Sequence, residues 1–347
     1  QSTISFYVRM QDRLYTMEVL NENDTSDHVG IDKINNLTAQ LKSIINKKFE
    51  ETPWMSEKGK FGISLLTQFQ IILDDLRVET DFDKFDRNLT TLRKMNRDTT
   101  SRYFENSRRE TGCKWFDVAH SFASTSADLD KLYSTDEEQL NAYRVQTSLA
   151  YNAFNAIAFH TILVLAPTFY PLNENSSDIT MLAFAGDILG HEMYHSFLEQ
   201  NLLNRSDTFK NEANCIMNNY SESCKLFAEG ECKSGQKTFS EDGVDVEGLR
   251  AAYNILVEMF TPEQLQEYEY PDLNITRQQA FFYSHAMRSC VDMTNQTYDD
   301  HSPDNIRVNA LVAQLPEFAA AFECQDGDTL YTSTEEICYL FGPKSLG

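Results

Sequence analysis

The chain has no apolar run of about 18 residues or more, the length a membrane-spanning helix needs; its longest apolar stretches, such as ILVLAP from Ile162, are far too short. No C-x-x-C pair occurs among its seven cysteines, so neither a zinc ribbon nor a thioredoxin-type redox motif is supported. Basic residues are scarce: 30 Lys and Arg against 53 Asp and Glu leave a net charge of -23. Nucleic acid and anionic membrane surfaces repel so acidic a chain, and neither is expected as a partner. No basic and then apolar leader follows Gln1, so a signal or anchor segment is expected to have been removed or to lie outside this sequence. Repeats and low-complexity tracts are absent. Wholesale disorder is excluded too, because 41% hydrophobic against 24% charged residues is ordinary globular composition, and 347 residues suffice for two lobes or one large domain.

What is present begins with the cysteines, Cys113, Cys215, Cys224, Cys232, Cys290, Cys324 and Cys338, and with eight Asn-x-Ser/Thr acceptors at Asn23, Asn36, Asn88, Asn175, Asn204, Asn219, Asn274 and Asn295. Disulfides together with glycans point to an oxidising, extracellular location, as a secreted protein or the ectodomain of a membrane-anchored one. The odd cysteine count leaves at least one thiol unpaired within the chain or paired outside it.

The character of the chain shifts near Gln146. Residues 1–145 are polar and helical in pattern: Ile34, Leu37, Leu41, Ile44, Ile45 and Phe49 share one face of a helix over Ile31 to Phe49, and a second amphipathic helix runs on from Trp54 with Gly59 and Gly62 as weak points. Arg77 to Glu138 reads as helices joined by loops. Residues 146–347 form the second domain. There VQTSLAYNAF and HTILVLAPTF read as strands, and Asp178 to Gln200 as one long helix capped by Ser177 or Asp178. A further helix is expected from Ser240 to Pro262, and others over Thr276 to Cys290 and Pro316 to Phe322. The fold class expected is α+β, mainly α-helical, with a small sheet.

The long helix contains His191-Glu192-Met193-Tyr194-His195, an H-E-x-x-H motif. Four residues are about one turn, so both imidazoles leave the same face and can reach one Zn²⁺ at ~2.0–2.1 Å. Glu192 is then placed to take a proton from water rather than to bind the metal. A catalytic zinc needs a third ligand, and Glu241 in SEDGVDVEGLRAAY is the best candidate. Asp245, four residues on, can fix the tautomer of a ligand histidine. The same acidic residues are also what any helix N-terminus favours. In HSPDNIR, His301 can donate to an oxyanion and Arg307 can hold a substrate carbonyl or carboxylate; taken alone, that segment reads as an exposed loop.

Together these motifs resemble the neprilysin and endothelin-converting-enzyme family of zinc metallopeptidases from about Leu149 to the C-terminus, with a fainter echo at Trp54-Met55. The matching elements are Asn152-Ala153-Phe154-Asn155, Gly190 through Phe197, Glu241 with Asp245, His301 through Arg307, and Glu317 through Cys324. The resemblance implies a thermolysin-like catalytic lobe, with residues 1–145 corresponding to part of the family's lid lobe. It implies one Zn²⁺ bound by His191, His195 and Glu241, with Glu192 as general base and Asp245 as orienting group. It also implies Asn152 and Ala153 holding an extended substrate, His301 stabilising the oxyanion and Arg307 gripping a substrate carbonyl. The implied function is a zinc-dependent endopeptidase acting on peptides or small secreted proteins. A Cys215–Cys338 disulfide is implied as well, while the family partners of Cys290 and Cys324 lie near the ectodomain's N-terminus, in a half that the chain does not resemble, which leaves these two to pair with each other, with Cys113 or with a detached chain that supplies that half in trans. Departures from the family pattern are Asn155, Tyr194, Ser196, Leu198-Glu199 and Ser289, and Cys224 and Cys232 look like an extra local bridge. These departures, with the missing half, motivate a second reading: a catalytically inactive protein that keeps zinc and binds peptides.

Overall fold

The computed structural model describes residues 27–56, 59–80, 153–165, 168, 177–198, 206–228, 232, 235–289 and 301–343. The chain order is α1 (Asp27–Glu51), α2 (Pro53–Ser56), α3 (Gly59–Asp75), β1 (Arg77–Thr80), β2 (Ala153–Ala156), β3 (Thr161–Val164), α4 (Asp178–Met181), α5 (Asp187–His195), α6 (Asp207–Phe227) and α7 (Phe239–Met259). There follow α8 (Pro262–Leu265), β4 (Tyr268–Tyr270), β5 (Ile275–Thr276), α9 (Arg277–Arg288), α10 (Asp304–Ala313) and α11 (Pro316–Ala321). The fold is therefore mainly helical with little sheet. Two compact units do not follow the chain order: Gln1–Ile31 with Arg77–Asn173, and Asp32–Leu76 with Glu174–Gly347.

In the first unit β1 and β2 flank β3, β1 parallel and β2 antiparallel to it, with Ala153 opposite Val164 and Arg77 opposite Thr161. β3 is TILV, buried at all four positions, as a central strand's apolar run should be. A single 3₁₀ turn, Ile157–Phe159, joins β2 to β3 and closes on His160 in the left-handed region (φ 46°). Arg77–Thr80 is strand where helices joined by loops were expected, because its backbone groups pair with β3; the rest of that expected region lies outside the described residues. So do the outer parts of the two expected strands.

In the second unit α1 buries the expected face: Ile34, Leu37, Leu41, Ile44, Ile45 and Phe49 are all buried. The second expected helix is two pieces, α2 ending at Ser56 and α3 starting at Gly59, with Gly62 inside α3. Phe49 heads an aromatic core, with ring centroids 4.9 Å from Phe197, 5.1 Å from Phe341 and 5.2 Å from Phe69. Tyr194 stacks on Phe341 at 5.6 Å, and Leu198 is buried against the position of Gly243. Two departures from the family pattern thus belong to packing. Burial of the Leu198 side chain contributes roughly 1.5–3 kcal/mol by leaving water.

α5 and α7 cross at glycine. A Cβ on Gly190 would sit 2.9 Å from the Gly248 backbone, and one on Gly248 would sit 2.6 Å from the His191 nitrogen. Only hydrogen side chains permit that approach. A buried ionic network fixes the far side of α7: Glu247 accepts from Lys48 Nζ at 2.6 Å and from Arg250 at 3.1 Å, and Arg250 also donates to the carbonyls of Cys338 and Gln314 at 2.7 Å each. Disulfides join Cys215 to Cys338 and Cys224 to Cys232; Cys324 is a free thiol, and Cys113 and Cys290 lie outside the described residues.

Candidate metal centre

The expected long helix is three pieces in line: α4, a π-helical stretch Leu182–Gly186, and α5 ending at His195. Ser177 caps it, its hydroxyl accepting from the Thr180 N–H at 3.2 Å. At its other end His191 and His195 leave one face, as their spacing requires, and their Nε2 atoms lie 3.1 Å apart.

His191 is oriented from behind. Its Nδ1 lies 2.7 Å from Asp245 Oδ1, and a carboxylate there draws the proton to Nδ1 and leaves Nε2 as a lone pair in the neutral ring. Asp245 in turn accepts two bonds from Arg307, Nε to Oδ2 and Nη2 to Oδ1, both 2.7 Å. Burial alone would raise the Asp245 pKa; Arg307 and His191 outweigh it and hold the carboxyl well below the usual carboxylate range. Burial likewise opposes a charge on His191, yet Asp245 and Glu241 outweigh it and raise its pKa.

Glu241 arrives from α7. That helix begins at Phe239, not at Ser240, and its N-cap residue Thr238 makes no side-chain cap. The Thr238 hydroxyl instead donates to Asp242 Oδ2 at 2.6 Å, where Ser302 also donates at 3.0 Å. Burial pushes the Asp242 carboxyl up to about 7. Glu241 Oε2 then lies 3.3 Å from His191 Nε2, 3.4 Å from His195 Nε2 and 3.0 Å from His301 Nε2. Those separations are close, but no donor is aimed well enough to give that buried oxygen a hydrogen bond. Burial would raise the Glu241 pKa; the imidazoles around it outweigh burial and keep it ionised far below its ordinary value.

The donor set of His191, His195 and Glu241 fits a divalent metal. Bonds of about 2.0–2.1 Å at tetrahedral angles place ligand atoms about 3.3–3.4 Å apart. The three separations here are 3.1, 3.3 and 3.4 Å. Glu192 is buried beside the set, its Oε1 4.0 Å from His191 Nε2.

The second unit therefore brings together His191, His195, Glu192, Glu241, Asp245, His301 and Arg307. Arg307 has two of its three guanidinium nitrogens on Asp245. Ala153 opens β2 in the other unit and is buried, while Asn152 lies outside the described residues. Periodicity missed the Thr238–Asp242–Ser302 cluster, which braces the start of α7. Its only sequence signal is a Thr and an acid four residues apart at a helix start, which reads equally well as a cap.

The model of peptidase family M13 matches residues 148–338, more than half of the chain. Neprilysin-3 of Drosophila melanogaster is 29% identical over 209 residues, 55% of this chain and 25% of that protein. Human endothelin-converting enzyme-like 1 is 24% identical over 326 residues, 84% of this chain and 38% of that protein. The chain thus spans well under half the length of these curated relatives. Among solved structures, the zinc metalloprotease Zmp1 of Mycobacterium tuberculosis aligns with a TM-score of 0.59 at 14% identity, over 89% of this chain and 47% of that one. PepO of Lactobacillus rhamnosis aligns at 0.56 with 16% identity, over 90% and 47%. These likenesses carry the fold. With the family model, the relatives and the three-donor cluster in agreement, the chain belongs to peptidase family M13.

Proposed function

We propose that the protein is a zinc-dependent endopeptidase that hydrolyses peptides or small secreted proteins. The observation that carries this is the meeting of His191 Nε2, His195 Nε2 and Glu241 Oε2, with Glu192 beside them. Zinc bound there supplies Lewis acidity to a carbonyl and makes a water acidic near neutral pH. Glu192 takes the water proton and delivers it to the leaving amine. Asp245 and Arg307 hold the His191 ring in the tautomer that offers Nε2. His301 donates its N–H to the carbonyl oxygen as negative charge develops. Asn152 and Ala153 hold the substrate main chain in extended form by strand addition. The third nitrogen of Arg307 grips a substrate carbonyl.

Hydrolysis of a quenched-fluorescence peptide library, compared between wild type and Glu192→Gln with zinc content measured in both, tests the proposal. Loss of a general base should slow turnover roughly a hundred- to ten-thousand-fold with zinc retained. Equal rates would remove it. An extracellular location is proposed separately, supported by the two disulfides and the eight glycan acceptors. Among the described residues, no helix is long and apolar enough to cross a membrane.

A further inference from the structure

The chemistry above uses none of the eight Asn-x-Ser/Thr acceptors, three of which, Asn36, Asn219 and Asn274, fall on described residues. The fold treats the last two oppositely. In Asn219-Tyr220-Ser221, on α6, the Asn219 side-chain amide donates to the Ala310 carbonyl of α10 at 3.0 Å. Tyr220 is fully buried, and the Ser221 hydroxyl donates to the Met217 carbonyl at 2.8 Å. A glycan on that amide would have to occupy the space where α6 meets α10. Asn274-Ile275-Thr276 lies instead in the hairpin between β4 and β5, where Asn274 is exposed and left-handed (φ 53°). Around it, Tyr268, Tyr270 and Leu273 are exposed by 54%, 41% and 69%. Asn36 is exposed on α1.

We propose that Asn274 carries an N-linked glycan in the mature protein, projecting from the β4–β5 turn over the exposed apolar hairpin, and that Asn219 carries none. The proposal rests on the extracellular location put forward above and is independent of the peptidase reading. In the transfer, the Asn274 amide nitrogen attacks the anomeric carbon of a lipid-diphosphate-linked oligosaccharide. The carbon–oxygen bond breaks, a carbon–nitrogen bond forms, the amide gives up one proton to the transferase, and the lipid diphosphate departs with the electron pair. The transfer meets the chain before it folds; folding then decides which glycans are tolerated. Afterwards the Thr276 hydroxyl is free to cap α9, where it accepts from the Gln279 N–H at 3.2 Å while Gln279 accepts from the Thr276 N–H at 3.1 Å.

The full chain, secreted from eukaryotic cells, should be treated with peptide N-glycosidase in heavy-oxygen water and its peptides read by mass spectrometry. The isotopic mark is expected at Asn274 and not at Asn219. Asn274→Gly removes the acceptor while suiting the left-handed backbone, and should lose one glycan's step in gel mobility with an unchanged melting temperature. Thr276→Ser keeps both acceptor and cap and should keep that step, and Asn219→Gln should leave mobility as it is. An unmarked Asn274 beside other marked acceptors overturns the proposal alone, as does a marked Asn219. A chain with no mark at any acceptor overturns it together with the extracellular reading and leaves peptide hydrolysis standing.

Discussion

Glu241 and Glu247 stand less than two turns apart on α7, yet their surroundings are opposite in kind. Glu247 is fully buried and is met by Lys48, Arg250 and the Leu340 N–H, so fixed donors satisfy it and its counter-charges cannot leave. Glu241 is met by three imidazole nitrogens and by no lysine or arginine within ion-pair distance among the described residues. An imidazole offers a lone pair only when neutral, so the positive charge at this end of the helix is left to an exchangeable cation. A structural ion pair consumes permanent cations; a metal centre gathers groups that become ligands by losing protons.

That contrast can be broken first at Glu241. Glu241→Gln should lose stoichiometric zinc after dialysis, and hydrolysis with it, in a chain that still folds. Zinc retained in full would place the third ligand elsewhere. Glu247→Gln should do the reverse. It leaves Lys48 buried without its carboxylate and should cost roughly 3–5 kcal/mol in urea unfolding with zinc content unchanged; a loss below about 1 kcal/mol would mean that water reaches the network.

Asp245→Asn tests the link between the metal ligands and the charges behind them. It should weaken zinc roughly ten- to a hundredfold in competition with a chelator, because His191 loses the partner that fixes its tautomer. Unaltered affinity would reduce Asp245 to a packing role.

The smallest expected effect is in acid. Burial opposes ionisation of Asp187, at the start of α5, but Arg288 at 2.6 Å and His285 at 3.0 Å outweigh it and lower its pKa. A depressed carboxylate contributes stability above its unfolded pKa of about 4 and loses it as pH falls through the folded value. Asp187→Asn should therefore flatten the acid limb of the stability curve, read as denaturant midpoints at neutral and acid pH. Parallel limbs would show that Asp187 titrates alike folded and unfolded.

Much of this centre was legible in one dimension. The interval between His191 and His195 places two rings on one face whatever surrounds the helix, and the same interval places Asp245 a turn beyond Glu241. The apolar spacing from Ile34 to Phe49 marked the buried face of α1 for the same reason. Other features did not show. The start of α7 one residue before Ser240 goes with Thr238 turning its hydroxyl to Asp242, and the second donor to that carboxylate, Ser302, is 60 residues away. Arg307 carried no sign that Asp245 was its partner. Lys48 and Glu247 lie 199 residues apart, each looking like an ordinary surface charge on its own helix.

The amino-acid order by itself determined which side chains could ligate a metal and on which face of each helix they stand, because helical geometry acts over three or four residues. That Glu241 meets the two rings was decided only in three dimensions, by Gly190 and Gly248 letting two helix backbones approach where any larger side chain would collide. Which carboxylates on α7 are neutralised by lysine and arginine and which is left facing imidazoles was decided there too, since charge compensation depends on distances that the chain order does not set.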